Sequence, residues 1–129
     1  MSLIAKPKGR PNGITFSPNG RILYVANSDD RTVVAYDVDR GGEPSNERVL
    51  ISGVDGVPDG IRTDEKGNIY VAAKGIAIYN PEGKLTATLP VGETPANCAF
   101  GDGDFQTLYI TARTSVYRVR LDVKGSVQY

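Results

Sequence analysis

The sequence predicts an all-β fold: a β-propeller segment of three four-stranded antiparallel blades. Three observations carry that expectation. A proline-led opening, a short strand, a turn and a tyrosine-centred strand recur from Pro11, Pro58 and Pro95. The copies start 47 and then 37 residues apart, close to the roughly 40 to 45 residues of a propeller blade. No segment sustains helical periodicity, and the 15 glycines and 8 prolines separate short apolar runs, as all-β chains require.

Taken in order, Met1 to Arg10 reads as a short edge strand or a loose arm, with lysines and proline that would blunt an exposed edge. In the first repeat, Ile14 to Phe16 alternates and reads as the innermost strand. Asn19-Gly20 is a strong hairpin signal because both positions tolerate positive φ. Ile22 to Ala26, the β-branched run Thr32 to Val38, and Arg48 to Ile51 supply the next strands, with Ser28-Asp29-Asp30 as a turn and Asp39 to Glu47 as a polar loop. The second repeat gives Gly60 to Thr63, Asn68 to Ala72, Ile76 to Tyr79 and Leu85 to Leu89, with a turn at Asn80 to Gly83. The third gives Cys98 to Phe100, Thr107 to Thr111, Val116 to Leu121 and a fourth strand at Ser126 to Gln128. The blades fall near 10–54, 55–92 and 93–129 of one domain.

Composition removes several chemistries. Fifteen basic and fifteen acidic side chains leave no net charge, which argues against a nucleic-acid partner. The mixed-sign runs Asp29-Asp30-Arg31 and Asp64-Glu65-Lys66 read as solvated turns. Nothing approaches a membrane span. Met1 to Lys6 is too short and too weakly apolar for a secretory signal, so the expected compartment is the cytoplasm, or the periplasm if a native leader lies outside this sequence. There is no histidine and one cysteine, Cys98. No intrachain disulfide can form, and the Ser-His-Asp template is excluded. Cys98 sits in an apolar run and reads as a buried small hydrophobe. Any metal must be held by oxygen, which points to hard cations such as calcium or magnesium.

The residue just before each innermost strand belongs at the mouth of the propeller channel. Asn12 and Asp59 hold that place in successive repeats, and Ala96 holds it in the third. An amide oxygen and a carboxylate on one axis make a partial oxygen cage for a divalent cation. Pro-Asn-Gly and Pro-Asp-Gly are also common turn sequences, so both readings stand. Asp102 and Asp104 resemble a calcium loop only in composition and read better as a turn. Tyr24, Tyr70 and Tyr109 share one repeat position and read as packing between blades. Arg62 and Arg113 are candidate anion contacts.

The runs Arg10 to Asn27, Val57 to Ala73 and Cys98 to Ala112 together resemble the senescence marker protein (regucalcin)/gluconolactonase family, in the family's own order. The resemblance spans about Arg10 to Leu121. It implies a six-bladed propeller with one divalent metal on its axis, calcium or zinc, and hydrolysis of sugar lactones. Asn12 then matches the family's asparagine metal ligand. Asp59 matches its aspartate ligand, which is also proposed as the general base. A family member is about twice this length. The family's glutamate ligand and its substrate-holding arginine, asparagine and glutamate belong to an N-terminal half with no counterpart here.

The leading expectation is therefore the C-terminal half of a metal-dependent lactone hydrolase. Calcium is favoured over zinc, and Asp59 is a metal ligand before it is a base, because an adjacent cation lowers carboxylate basicity. The alternative is a non-catalytic propeller module that binds partners, since Leu23 to Asp37 also resembles the repeats of surface propellers. The expected partners are a small lactone and either the N-terminal half or a second copy. Such a partner would cover blade faces expected to be open at Val33, Ala35, Val116 and Val119.

Overall fold

In a computed structural model, which describes residues 1–127, eleven strands form three antiparallel sheets. The first sheet joins β1 (Pro11–Phe16), β2 (Ile22–Asn27), β3 (Thr32–Val38) and β4 (Pro44–Ile51) in chain order. The second joins β5 (Ile61–Thr63), β6 (Ile69–Ala72), β7 (Ile76–Tyr79) and β8 (Leu85–Leu89). The third joins β9 (Pro95–Gly101), β10 (Thr107–Ala112) and β11 (Ser115–Arg120). Each is a meander of hairpins, and the predicted innermost strands do lead their sheets. β4 begins earlier than expected, because Pro44 and Ser45 of the polar loop pair with Val38 and Asp37.

The sheets stack face to face, and alternation decides which residues enter each interface. Tyr24, Val33, Ala35 and Ile51 of the first sheet meet Ile61, Ile69, Val71 and Ala77 of the second. From the opposite face of the second sheet, Tyr70, Ala72 and Ile76 meet Cys98, Leu108 and Ile110. The second sheet is thus covered on both faces, and its β6 is buried throughout. Outer strand β8 is mostly exposed.

This stacking corrects the expected open faces. Val33 and Ala35 lie wholly inside the first interface, and Val119 packs into the second. Only Val116, 72 % exposed, stands on an uncovered face. The far face of the first sheet carries Leu23, Val25, Val34 and Tyr36, yet these are buried, with Ala5 packed on them. The arm before β1 lies there as irregular chain and not as a strand. Asn27 holds it: its Nδ2 donates to the Lys8 carbonyl, and its Oδ1 accepts the Arg10 N–H at 3.1 Å.

The third sheet has three strands among the described residues, not the expected four. After β11 the chain turns under the inner strands. Gly125 forms an antiparallel bridge with Asp64, and Ser126 N–H donates to the Thr63 carbonyl at 3.0 Å. The crossing requires a glycine, because a Cβ at Gly125 would sit 2.3 Å from Phe100 Cβ. Ser126 and Val127 are therefore not a fourth strand beside β11, and Gln128 lies outside the described residues.

Asp64 also departs from the expected solvated turn, being 0 % exposed. Its carboxylate accepts the Lys66 and Asn68 N–H groups, each at 2.9 Å, the Asn68 amide at 2.8 Å and the Tyr70 hydroxyl at 3.0 Å. Four donors offset the cost of burying one charge. Burial, with the Asp64 charge second, pushes the Tyr70 hydroxyl above its ordinary range.

Candidate functional site

All three inner strands start irregularly, and that irregularity builds the site. Opposite β2, Pro11 pairs with Asn27 and Ile14 with Val25, so Asn12 and Gly13 together face one residue. In the second sheet the Asp59 N–H donates to the Ala72 carbonyl and the Ala72 N–H to the Gly60 carbonyl, both at 2.9 Å. In the third, the register slips between Asn97 and Pro95, at Ala96. A bulge adds one residue, bends the strand and re-aims the extra side chain. Asn12, Asp59 and Ala96 are therefore equivalent, as the repeat predicts.

Glycine follows the first two for a steric reason. A Cβ at Gly13 would lie 2.1 Å from the Asp59 carbonyl oxygen, and one at Gly60 would lie 2.2 Å from Asn97 Oδ1. Each strand opening rests directly on the next, which brings Asn12, Asp59, Arg62 and Asn97 into one open cleft.

The side chains at the cleft have defined roles. Asn12 Nδ2 donates to Ser28 Oγ at 3.2 Å, and Ser28 Oγ donates to the Pro58 carbonyl at 2.8 Å. With its amide nitrogen committed to Ser28, Asn12 keeps Oδ1 as the acceptor left over. Asp59 is half-buried. Among the described residues its carboxylate has no hydrogen-bond or ion-pair partner. In the sequence, Ser28 shows only as part of the Ser28-Asp29-Asp30 turn. A hydroxyl between two strands carries no motif, so its bridging role is visible only in three dimensions.

These donors fit part of the shell of a hard divalent cation: one amide oxygen and one carboxylate, both uncommitted to protein. They do not form a complete cage, since no group of three or more His, Cys, Asp or Glu suited to a metal exists among the described residues. Zinc, which takes carboxylate oxygen as well as nitrogen and sulfur, would find only the oxygen donors among the residues lining this cleft. Cys98 is buried beneath the cleft and burial pushes its thiol up to about 12, only partly opposed by the Arg62 charge. It remains a neutral hydrophobe.

The other candidates lie elsewhere. Asp102 accepts the Tyr109 hydroxyl at 2.6 Å, and Asp104 is paired with Arg120. The bond with Arg120 draws the Asp104 carboxyl down to about 2. Both carboxylates are spent on this turn. Tyr24 and Tyr70 are buried in the interfaces as expected, whereas Tyr109 is only half-buried. Arg113 stands exposed at the β10–β11 turn with φ of 37°.

Residues 1–114 match the SMP-30/Gluconolactonase/LRE-like region. The gluconolactonase of Zymomonas mobilis is 35 % identical over 97 % of this chain and 38 % of that protein. The solved gluconolactonase of Xanthomonas campestris superposes with a TM-score of 0.85 at 29 % identity, over 93 % of this chain and 40 % of that one. Regucalcin of Agrobacterium tumefaciens, described as a calcium-binding protein, superposes at 0.80 with 22 % identity, over 93 % and 48 %. The chain thus spans about two fifths to one half of the length of these relatives.

Proposed function

Because the chain belongs to the SMP-30/gluconolactonase/LRE-like family, we propose that it is the metal-assisting portion of a sugar-lactone hydrolase. The observation that carries this reading is the pair of uncommitted oxygens in one cleft, Asn12 Oδ1 and the Asp59 carboxylate. Asn12 and Asp59 are the proposed cation ligands. A divalent cation held there would supply Lewis-acid polarisation of an ester carbonyl and acidify a water; calcium is the cation proposed.

The chain's own residues then divide the work. Ser28 keeps the Asn12 amide turned so that its oxygen is presented. Asp59 is the anionic member of the pair; next to a cation it orients a water more effectively than it takes a proton. The Gly13 and Gly60 contacts hold the strand openings against one another and so preserve the spacing of the ligands. The remaining ligands and the substrate-holding groups are assigned to the part of the relatives that this chain does not span. The Val116 face of the third sheet is the surface proposed to meet that part or a second copy.

Thermal melts in the presence of calcium, magnesium, manganese and zinc test the reading. A cation at a hundred times its Kd stabilises by about 2.7 kcal/mol. Asp59→Ala is expected to abolish that response and Asn12→Ala to reduce it, because a carboxylate brings charge and an amide only a dipole. Gluconolactone hydrolysis by the chain alone is expected to sit near the buffer rate. An Asp59→Ala variant that responds to metal like the parent sinks the ligand assignment, and absence of any response favours a non-catalytic binding module.

A further inference from the structure

We propose that Arg62 and Asn97 form a carboxylate-binding pair in the same cleft, placed to hold the acid released when a lactone ring opens; this rests on the lactone-hydrolase reading. The cleft contains two kinds of polar atom. Asn12 and Asp59 offer acceptors. Arg62 and Asn97, which line it with them, offer donors.

The Asn97 amide is oriented by its neighbour. Its Oδ1 accepts the Cys98 N–H at 2.9 Å, so Nδ2 is left as a donor, and it has no acceptor among the described residues. The Asn97 side chain lies against Gly60, where any Cβ would displace it. The sequence puts asparagine in the third repeat at the position that glycine holds in the first two: Gly13, Gly60 and Asn97 occupy the same register before Ile14, Ile61 and Cys98.

Arg62 is the middle residue of β5, flanked by buried Ile61 and Thr63. Its Nη1 donates to the Ile61 carbonyl at 2.7 Å, which pins the guanidinium to the strand opening. Among the described residues no carboxylate pairs with it. Arginine heads normally reach solvent or a counter-ion, and a half-buried guanidinium without one carries a desolvation cost. A carboxylate would remove that cost. Hydrolysis supplies one: water adds across the ring ester, its hydroxyl going to the carbonyl carbon and a proton to the departing ring oxygen, and the new acid ionises. A neutral substrate becomes an anion beside a fixed cation. Two donors from different strands suit the two oxygens of that planar group.

The test uses the metal-free chain labelled with nitrogen-15. Sodium gluconate is titrated at constant ionic strength while the Arg62 Nε–H and Asn97 Nδ2 signals are followed. Sorbitol, the neutral polyol of equal length, and inorganic phosphate run in parallel. Gluconate is expected to shift both signals saturably, and sorbitol neither. Arg62→Met and Asn97→Ala, each checked for native spectral dispersion, are expected to weaken gluconate binding about tenfold or more, the size of one charge-assisted hydrogen bond. Arg62→Lys should retain part of the affinity. A lack of saturable shifts, or unchanged affinity in both variants, overturns the proposal; phosphate binding as tightly as gluconate overturns the carboxylate assignment. No metal or turnover enters this titration, so its failure is separable from a failed metal response at Asp59.

Discussion

The side-chain amide of Asn12 reaches the backbone of the next blade through a single hydroxyl, donating to Ser28 Oγ at 3.2 Å while that oxygen donates to the Pro58 carbonyl at 2.8 Å. One serine therefore couples the two residues proposed to hold a cation. It sets the amide's orientation at one end and anchors the peptide preceding Asp59 at the other. If Asn12 and Asp59 hold a cation as proposed, their geometry depends on a residue that would touch no metal itself.

Ser28→Ala follows from that relationship. Removing the buried hydroxyl leaves the Pro58 carbonyl without its donor and lets the Asn12 amide rotate. The expected loss of stability is about 1–2 kcal/mol in urea unfolding. Calcium affinity, read from thermal shift, is expected to fall roughly tenfold, within the range for groups that orient a ligand. A variant destabilised to that extent but with parental calcium affinity would remove Ser28 from the site.

The two cleft glycines both press on backbone of the next strand opening. A Cβ at Gly13 would meet the Asp59 carbonyl oxygen at 2.1 Å, and one at Gly60 would meet Asn97 Oδ1 at 2.2 Å and Asn97 Cα at 2.7 Å. Gly13→Ala must shift the Asp59 peptide itself and is expected to cost about 1–3 kcal/mol, as overpacking does. Gly60→Ala should cost about 1–3 kcal/mol as well, because rotating the Asn97 side chain does not clear its Cα, and it should weaken gluconate binding in the same step. A parental urea midpoint in either variant would show that the strand openings do not rest on one another in this way.

Much of this was legible in the sequence. Strands β3, β7 and β8 match their predicted limits, because runs rich in β-branched residues set between polar turns leave little choice of state. The equivalence of Asn12 and Asp59 was readable from repeat register alone. Three features were not. Asp64 stands in a charged, turn-like run, and only the tertiary placement of Asn68 and Tyr70 shows why the carboxylate is buried. The arm at Ala5 covers a sheet face by packing, with no periodic signature. Asn97 carries no signal of its own in the repeat, which marks Ala96 as the counterpart of Asn12 and Asp59. Its importance comes from standing where Gly13 and Gly60 stand.

The turn at Asp104 gives a pH prediction of definite sign. Its bond with Arg120 lowers the folded-state pKa to about 2 from an ordinary value of 3.8. A depressed carboxyl contributes stability that is present above the unfolded value and is lost as pH falls through the folded one. The contribution should fade between about pH 4 and pH 2. Because the pair is exposed, the effect on global stability will be small and weaker at high salt. Carbon-13 titration of the Asp104 carboxyl should give a midpoint near 2, moving toward the ordinary carboxylate range in Arg120→Gln. A midpoint already in that range in the parent would show that the pair does not form in solution.

The arm before β1 gives the last prediction. A stack of sheets leaves its two end faces without neighbours, and here the ends differ. At the third sheet, Val116 stands 72 % exposed. At the first, Leu23, Val25, Val34 and Tyr36 are buried, with Ala5 against them, and the Asn27 amide ties the following residues to the sheet. The arm thus occupies the position that a preceding sheet would fill. Each apolar side chain fully buried is worth about 1.5–3 kcal/mol, so stripping the cover from four of them exposes an adhesive surface. Deleting residues 1–6 while keeping the Lys8 and Arg10 contacts should lower the urea midpoint and make sedimentation concentration-dependent at micromolar protein. Val116→Glu in the intact chain should leave the urea midpoint nearly unchanged and weaken whatever association the third sheet supports. If the deletion sediments and unfolds like the parent, Ala5 is not what keeps the first sheet covered; if Val116→Glu alone abolishes association, the chain pairs through its third sheet.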